Sequence, residues 1–171
     1  MNYNEIPNQN FIVLNELKEI PTSLATALKA FSESGGSILI IPSGEADFNG
    51  YNNFLLSKNM GTFSQKIEQE RKITKIVFSH PIFKNVFEKE VINFQYPTVN
   101  SFFNISSNAT PFLVFEDNTP FALQKDKTYL FSAPIYSENS NFKNSPLIVP
   151  TIYNMALQSL PLSKLYYTIG A

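Results

Sequence analysis

The group best placed to do chemistry is Ser43, in the stretch Ile40-Ile41-Pro42-Ser43-Gly44-Glu45. Ser43 is a possible nucleophile and Glu45 a possible acid or base, just past an apolar run that reads as a buried strand. Ligands of open α/β sheets gather outside the carboxyl ends of such strands. The local backbone argues against a nucleophile. A catalytic serine of this kind needs a sharp strand-to-helix turn flanked by small residues, whereas Pro42 fixes φ near about −65° and only Gly44 supplies freedom. A plain exit from strand to loop is expected.

His80, in Ser79-His80-Pro81, is the chain's single histidine and so its only imidazole base near neutral pH. A triad would need it in contact with a nucleophile and an orienting carboxylate. The alternative is a polar residue fixing the turn before Pro81 by a backbone hydrogen bond, which is the expected role. Asn15 and Glu16 end the first apolar run and, with Glu45 and Asp47, could line a polar crevice. Paired carboxylates can do acid/base work or hold a divalent cation, although a carboxylate near a helix start is also ordinary electrostatics. Asn15, Glu16, Ser43 and Glu45 are therefore the candidate ligand-binding residues, with no catalytic set, no metal set and no cofactor expected.

Composition removes several other classes. The chain has no cysteine, which excludes disulfides, thiolate catalysis and cysteine-ligated zinc. Lys and Arg number 13 against 14 Asp and Glu, without the cationic surplus that phosphate neutralisation requires, so no nucleic-acid partner is expected. The turn Asn15-Glu16-Leu17-Lys18-Glu19-Ile20-Pro21 holds no glycine to let a backbone approach a pyrophosphate. No apolar run is long enough to span a membrane, so no direct insertion by this segment is expected. At 171 residues, with 43% apolar and 16% charged, one domain with a real core is expected over residues 1–171.

The elements that must position these residues read as follows. Phe11-Ile12-Val13-Leu14 predicts a strand buried on both faces, in the sheet interior. Leu24, Ala27, Leu28 and Phe31 repeat at helical spacing, with Thr22 or Ser23 as cap and Gly35-Gly36 as stop. Ser37–Ile41 predicts a second buried strand, parallel to the first, making a βαβ unit with a right-handed crossover. A short helix is expected over Tyr51–Lys58, a solvated loop or edge over residues 62–75, and a short strand at Ile76-Val77-Phe78. Alternation at Ile92, Phe94 and Tyr96 predicts a half-exposed strand. Residues 111–115, 121–124 and 128–132 predict an antiparallel meander joined by polar turns at Glu116–Thr119 and Lys125-Asp126. A last helix is expected from Ser145-Pro146 to about Leu160, kinked or restarted at Pro150.

This order of pieces, with Gly35-Gly36, the stretch His80-Pro81-x-Phe83-x-x-x-Phe87 and Tyr129-Leu130-Phe131-Ser132-Ala133-Pro134, resembles the class I glutamine-amidotransferase-like fold, a flavodoxin-like α/β sandwich. Within it, Phe11–Glu19, Gly35–Ser43, Ser79–Phe87, Pro111–Phe121 and Ser145–Leu160 resemble the soluble region of Bacteroidetes BatA-type membrane proteins, linked by name to aerotolerance. The amidotransferase elbow Gly-x-Cys-x-Gly corresponds here to Ile40-Ile41-Pro42-Ser43-Gly44, without the cysteine or the first glycine, and the family's catalytic His and Glu have no counterpart. The resemblance thus implies an α/β fold without the activity. It also implies a domain excised from a longer membrane-anchored protein, on the extracytoplasmic, periplasmic side.

The leading expectation is a non-catalytic domain serving binding or assembly in a bacterial envelope protein, through a protein partner or self-association. A hydrolase or transferase using Ser43, Glu45 or His80, and a carbohydrate or small-ligand module, stay open. Aromatics at 14% beside so few charges predict either a self-contact or an exposed apolar patch above about 400 Å², larger than scattered surface residues make.

Overall fold

The computed structural model describes residues 2–86 and 95–161. Its elements, besides three short 3₁₀ helices, are β1 (Phe11–Leu17), α1 (Thr22–Glu33), β2 (Ser37–Pro42), α2 (Phe48–Ser57), β3 (Thr62–Ile67), β4 (Arg71–Ile76), β5 (Thr98–Val99), β6 (Phe102–Ser106), β7 (Thr110–Phe115), β8 (Pro120–Lys125), β9 (Thr128–Phe131) and α3 (Ile148–Ser159). Seven strands form one sheet in the order β1-β2-β9-β8-β7-β4-β5, and β3 and β6 pair as a separate ribbon. The strands from β9 through β8, β7 and β4 to β5 alternate in direction, and only β1, β2 and β9 run parallel.

The expected flavodoxin-like, amidotransferase-like α/β sandwich is therefore corrected. A doubly wound fold repeats the crossover, returning each strand parallel to the last. Here the βαβ unit β1-α1-β2 is followed by hairpins, and polar turns close them: Asn118 (φ 68°) and Asp126 (φ 50°) take the left-handed conformation that Asn and Asp tolerate best among side-chain-bearing residues. The protein is mostly β, a mixed sheet with few helices.

The βαβ unit itself forms with β1 and β2 parallel, Phe11 beside Ser37 through Asn15 beside Ile41. β2 is wholly buried and its side chains alternate between two cores. Ile38 and Ile40 join Leu14, Leu24, Leu28, Phe31 and Phe54 on the α1 face. Leu39 and Ile41 join Phe112, Tyr129, Phe131 and Met155 on the α3 face. Gly35 stops α1 with φ 96°, the left-handed terminator the sequence suggested.

β1 departs from expectation. It lies at the sheet's edge, half-exposed, with Val13 39% accessible. Its continuous apolar run mimics an interior strand because one face packs on α1 while the other lies beside α3. Residues 62–75, expected as a solvated loop or edge segment, form β3, which has a free edge in the two-stranded ribbon, and most of β4, which lies inside the larger sheet with Ile73 fully buried. Their charges alternate with inward apolar side chains, which sheet pairing accommodates. Pro150 falls in the first turn of α3, where its missing N–H breaks no helical bond, so the helix continues through it. The alternating stretch from Ile92 falls largely outside the described residues.

Candidate functional site

The carboxyl ends of β1 and β2 bring Asn15, Glu16 and Ser43 to one end of the sheet, with Glu45 in the loop beyond. A register shift between Asn15 and Leu17 marks a bulge, and Glu16 at its centre has φ 57°. The bulge turns the Glu16 side chain, whose Oε1 accepts the backbone N–H of Ile135 at 2.8 Å, in the loop after β9. Asn15 is exposed at the edge.

Tyr51 of α2, fully buried, donates its hydroxyl to the Leu17 carbonyl at 2.5 Å. Burial pushes the phenol up to about 12, opposed by a hydrogen bond from the Ser43 backbone N–H and reinforced by the charge of Glu16. Tyr51 is thus the centre of this end of the sheet, linking the exits of β1 and β2. The sequence reading missed it because one tyrosine in a helical pattern carries no distinguishing mark.

The remaining candidates are engaged in holding the loop. Ser43 Oγ accepts the Glu45 N–H at 3.2 Å and the Ser43 carbonyl accepts from Ala46. Glu45 pairs with Lys18 at 2.6 Å in an exposed bridge. The Lys18 hydrogen bond and then its charge hold the Glu45 carboxyl below the usual carboxylate range. The Lys18 carbonyl accepts from Asp47 at 2.7 Å, and Asp47 caps α2 by accepting the Gly50 N–H at 2.8 Å. Tyr136 lies so near Gly44 that a Cβ there would come within 2.9 Å of its hydroxyl.

His80 lies elsewhere. Its Nδ1 accepts the Ile82 N–H at 3.2 Å, capping the 3₁₀ turn Pro81–Phe83, which fixes the tautomer with the proton on Nε2. The ring packs on Phe112 with centroids 4.8 Å apart, and Phe112 meets Tyr129 edge-on at 6.3 Å. Tyr129 pairs with Leu39, so this stack sits over the middle of β2, whereas Ser43 follows its end. Among the described residues no hydrogen bond joins Ser43, Glu45 or Glu16 to His80. Burial lowers the His80 pKa from its ordinary value. Among the described residues no group of three or more His, Cys, Asp or Glu could hold a metal ion.

A second feature lies on α3. Six large apolar residues are exposed among those described, and four of them are Val149, Tyr153 and Leu157 of α3 with Leu160, the residue that ends the helix. At about 100° per residue they fall within an arc of about 80° on the solvent side of the helix. Thr151, Met155 and Ser159 face inward. No charged residue occurs from Asn144 to Pro161. That absence was the available signal in the sequence, since a solvated helix face ordinarily carries charge.

No family model matches the chain, and no curated protein matches it. Among solved structures it is similar to part of the β-galactosidase from the psychrophilic Marinomonas ef1, with a TM-score of 0.59 and 11% identity over 88% of this chain. That match covers 20% of the β-galactosidase, so the chain spans a fifth of that enzyme's length. It is also similar to the mmIFT52 N-terminal domain, with a TM-score of 0.56 and 13% identity over 94% of this chain and 83% of that one. Likeness at such identity speaks for the fold alone. It agrees with the mostly β mixed sheet and overturns the glutamine-amidotransferase-like and flavodoxin-like description.

Proposed function

We propose that this chain is a non-catalytic binding and assembly domain that engages another protein through α3. The observation that carries this reading is the uncharged stripe Val149, Tyr153, Leu157 and Leu160, exposed on one helix face. Protein contacts are depleted of charge at their centres and enriched in aromatic side chains such as tyrosine. The groups that chemistry would use support the same reading. Ser43 Oγ, the Glu45 carboxylate and His80 Nδ1 each hold local structure. The placement in a bacterial envelope protein rests on the resemblance of short stretches to BatA-type proteins, and cell fractionation tests it separately.

A photo-crosslinking residue at Tyr153, in cells producing the chain, tests the contact. Defined protein adducts are expected there, and none from the same residue at Leu56, which is equally exposed but on α2. Equal labelling at both positions, or none at Tyr153, removes the proposal.

A further inference from the structure

We infer that the cavity at the amino end of the parallel strands is a binding site for a tetrahedral oxyanion, a phosphate or sulfate group. The cavity measures about 290 Å³ and is walled by the turn between β8 and β9 and by the C-terminal ends of α1 and α2. Such a volume falls just below the about 300–1,000 Å³ of sites for drug-sized ligands, and suits a single charged group. Thr128 pairs with Ile38 near the start of β2, so the cavity lies at the opposite end of the sheet from Glu16 and Ser43. None of its lining residues belongs to α3, which makes this site distinct from the proposed protein contact.

Thr128 points to a ligand. The residue is 2% exposed, and its hydroxyl has no hydrogen-bond partner among the described residues. A buried hydroxyl without a partner costs free energy, so buried polar groups are nearly always paired. The cross-strand pair Lys125 and Thr128 places both side chains on one face of the sheet. Leu130, two residues on, turns that face toward α1 and α2. Among the described residues, Thr151 Oγ1 is the side-chain oxygen or nitrogen that is both fully enclosed and unpartnered. The Thr128 hydroxyl therefore keeps an opening, and the cavity it lines is that opening.

The groups around it are donors. Lys58 Nζ donates to Ser32 Oγ at 2.6 Å, which fills an acceptor site of that hydroxyl and leaves its proton to give. Lys127 Nζ gives one proton to the Gly35 carbonyl at 2.9 Å and holds two more. Lys125 makes no hydrogen bond or ion pair through its side chain among the described residues. Asp126 brings the one carboxylate, so the three ammonium groups leave a surplus of two positive charges. The C-termini of α1 and α2 offset about one unit of that surplus. Their last carbonyls are already occupied, Phe31 by the Gly36 N–H and Leu55 by the Met60 N–H, so capping does not consume the lysines. A ligand matched to this set accepts hydrogen bonds and carries negative charge. A tetrahedral oxyanion offers acceptor oxygens in several directions to donors arriving from a sheet turn and two helices, which a flat carboxylate does not.

Inorganic phosphate titrated at constant ionic strength, balanced with chloride, reads the site through the amide resonances of Lys127 and Thr128. Saturable shifts are expected there, reproduced by sulfate and not by acetate. Thr128→Val keeps the side-chain shape and removes one hydrogen bond to a charged acceptor, which should weaken binding about tenfold or more. Without phosphate the same variant should melt no lower than the unaltered chain, because the hydroxyl has no partner to lose. A hydroxyl with a structural role alone would show the reverse, lower melting with binding unchanged. Lys125→Gln should weaken binding as well, and Lys66→Gln, on β3, should not. If Thr128→Val misfolds, the comparison of Lys125→Gln with Lys66→Gln decides alone. Shifts no larger than chloride produces, an equal response to acetate, or binding indifferent to Thr128→Val or to Lys125→Gln overturns the inference.

Discussion

Glu16 Oε1 and the Ile135 backbone N–H, 2.8 Å apart, tie the end of the edge strand to the loop beyond β9, across the carboxyl end of β2. The contact is made from a left-handed backbone at φ 57°, which disfavours any side chain by about 1–2 kcal/mol. Two opposing effects separate by substitution. Glu16→Ala keeps the backbone cost and loses a hydrogen bond to a charged acceptor, so stability should fall by about 1.5 kcal/mol, the low end for a half-exposed group. Glu16→Gly loses the same bond but relieves the backbone, and should recover about 1 kcal/mol of that. Urea unfolding of both variants checks the order, and a glycine variant no better than alanine means the bulge is not strained.

Tyr51 should be the costly residue at the same end. Tyr51→Phe keeps the ring and removes the bond to the Leu17 carbonyl, leaving a buried acceptor short of its partner, a loss of about 1–3 kcal/mol. Its phenol, raised to about 12, should contribute no phenolate absorbance until about that pH or until unfolding. A difference titration against Tyr51→Phe reads it directly.

His80 predicts a stability that depends on mild acid. Its folded pKa lies below the ordinary 6.5 because burial disfavours the imidazolium. Above that ordinary value both states are neutral and nothing is lost. As pH falls below it the unfolded chain takes up a proton that the folded chain refuses, so stability declines until the folded value is passed. Melting temperature should therefore drop between about pH 7 and 5, ahead of carboxylate titration. His80→Asn keeps an acceptor for the Ile82 N–H and should flatten the slope.

The βαβ unit was legible in the sequence because each local signal agreed with the others: two β-rich runs, a helical apolar repeat, and a glycine at the stop. Its place in the sheet was not. Phe11–Leu14 reads as interior since apolar periodicity records which side chains are covered, not whether a backbone has neighbours on both sides. The meander was legible from Asn118 and Asp126, yet its continuation into β4 was hidden by the charges of Lys72 and Lys75, which face outward from a strand whose Ile73 is core. The candidate crevice divided in a similar way. Proximity of Asn15, Glu16 and Ser43 follows from strand pairing, whereas the hydrogen bonds that occupy Ser43 and Glu45 depend on loop geometry no spacing encodes. Tyr51 and Ile135 come from elements distant in sequence from Glu16, which is why pattern alone passed over them.

Leu28 and Leu157 make the last prediction, because the same residue type occupies opposite surroundings. Leu28 is fully buried on the inward face of α1 and Leu157 is 45% exposed on α3. Leu28→Ala removes packed methyl groups and leaves a cavity, a loss of about 2–5 kcal/mol. Leu157→Lys removes little packing and should stay within about 0.5 kcal/mol in the isolated monomer, as surface changes do. The proposed contact through α3 separates them further. Leu28→Ala should melt lower yet keep the Tyr153 adducts, whereas Leu157→Lys should melt as the unaltered chain does and lose them, because it sets a cation within the uncharged stripe. Calorimetry and photo-crosslinking measure the two effects separately. Adducts that survive in Leu157→Lys would assign the contact to a surface other than α3.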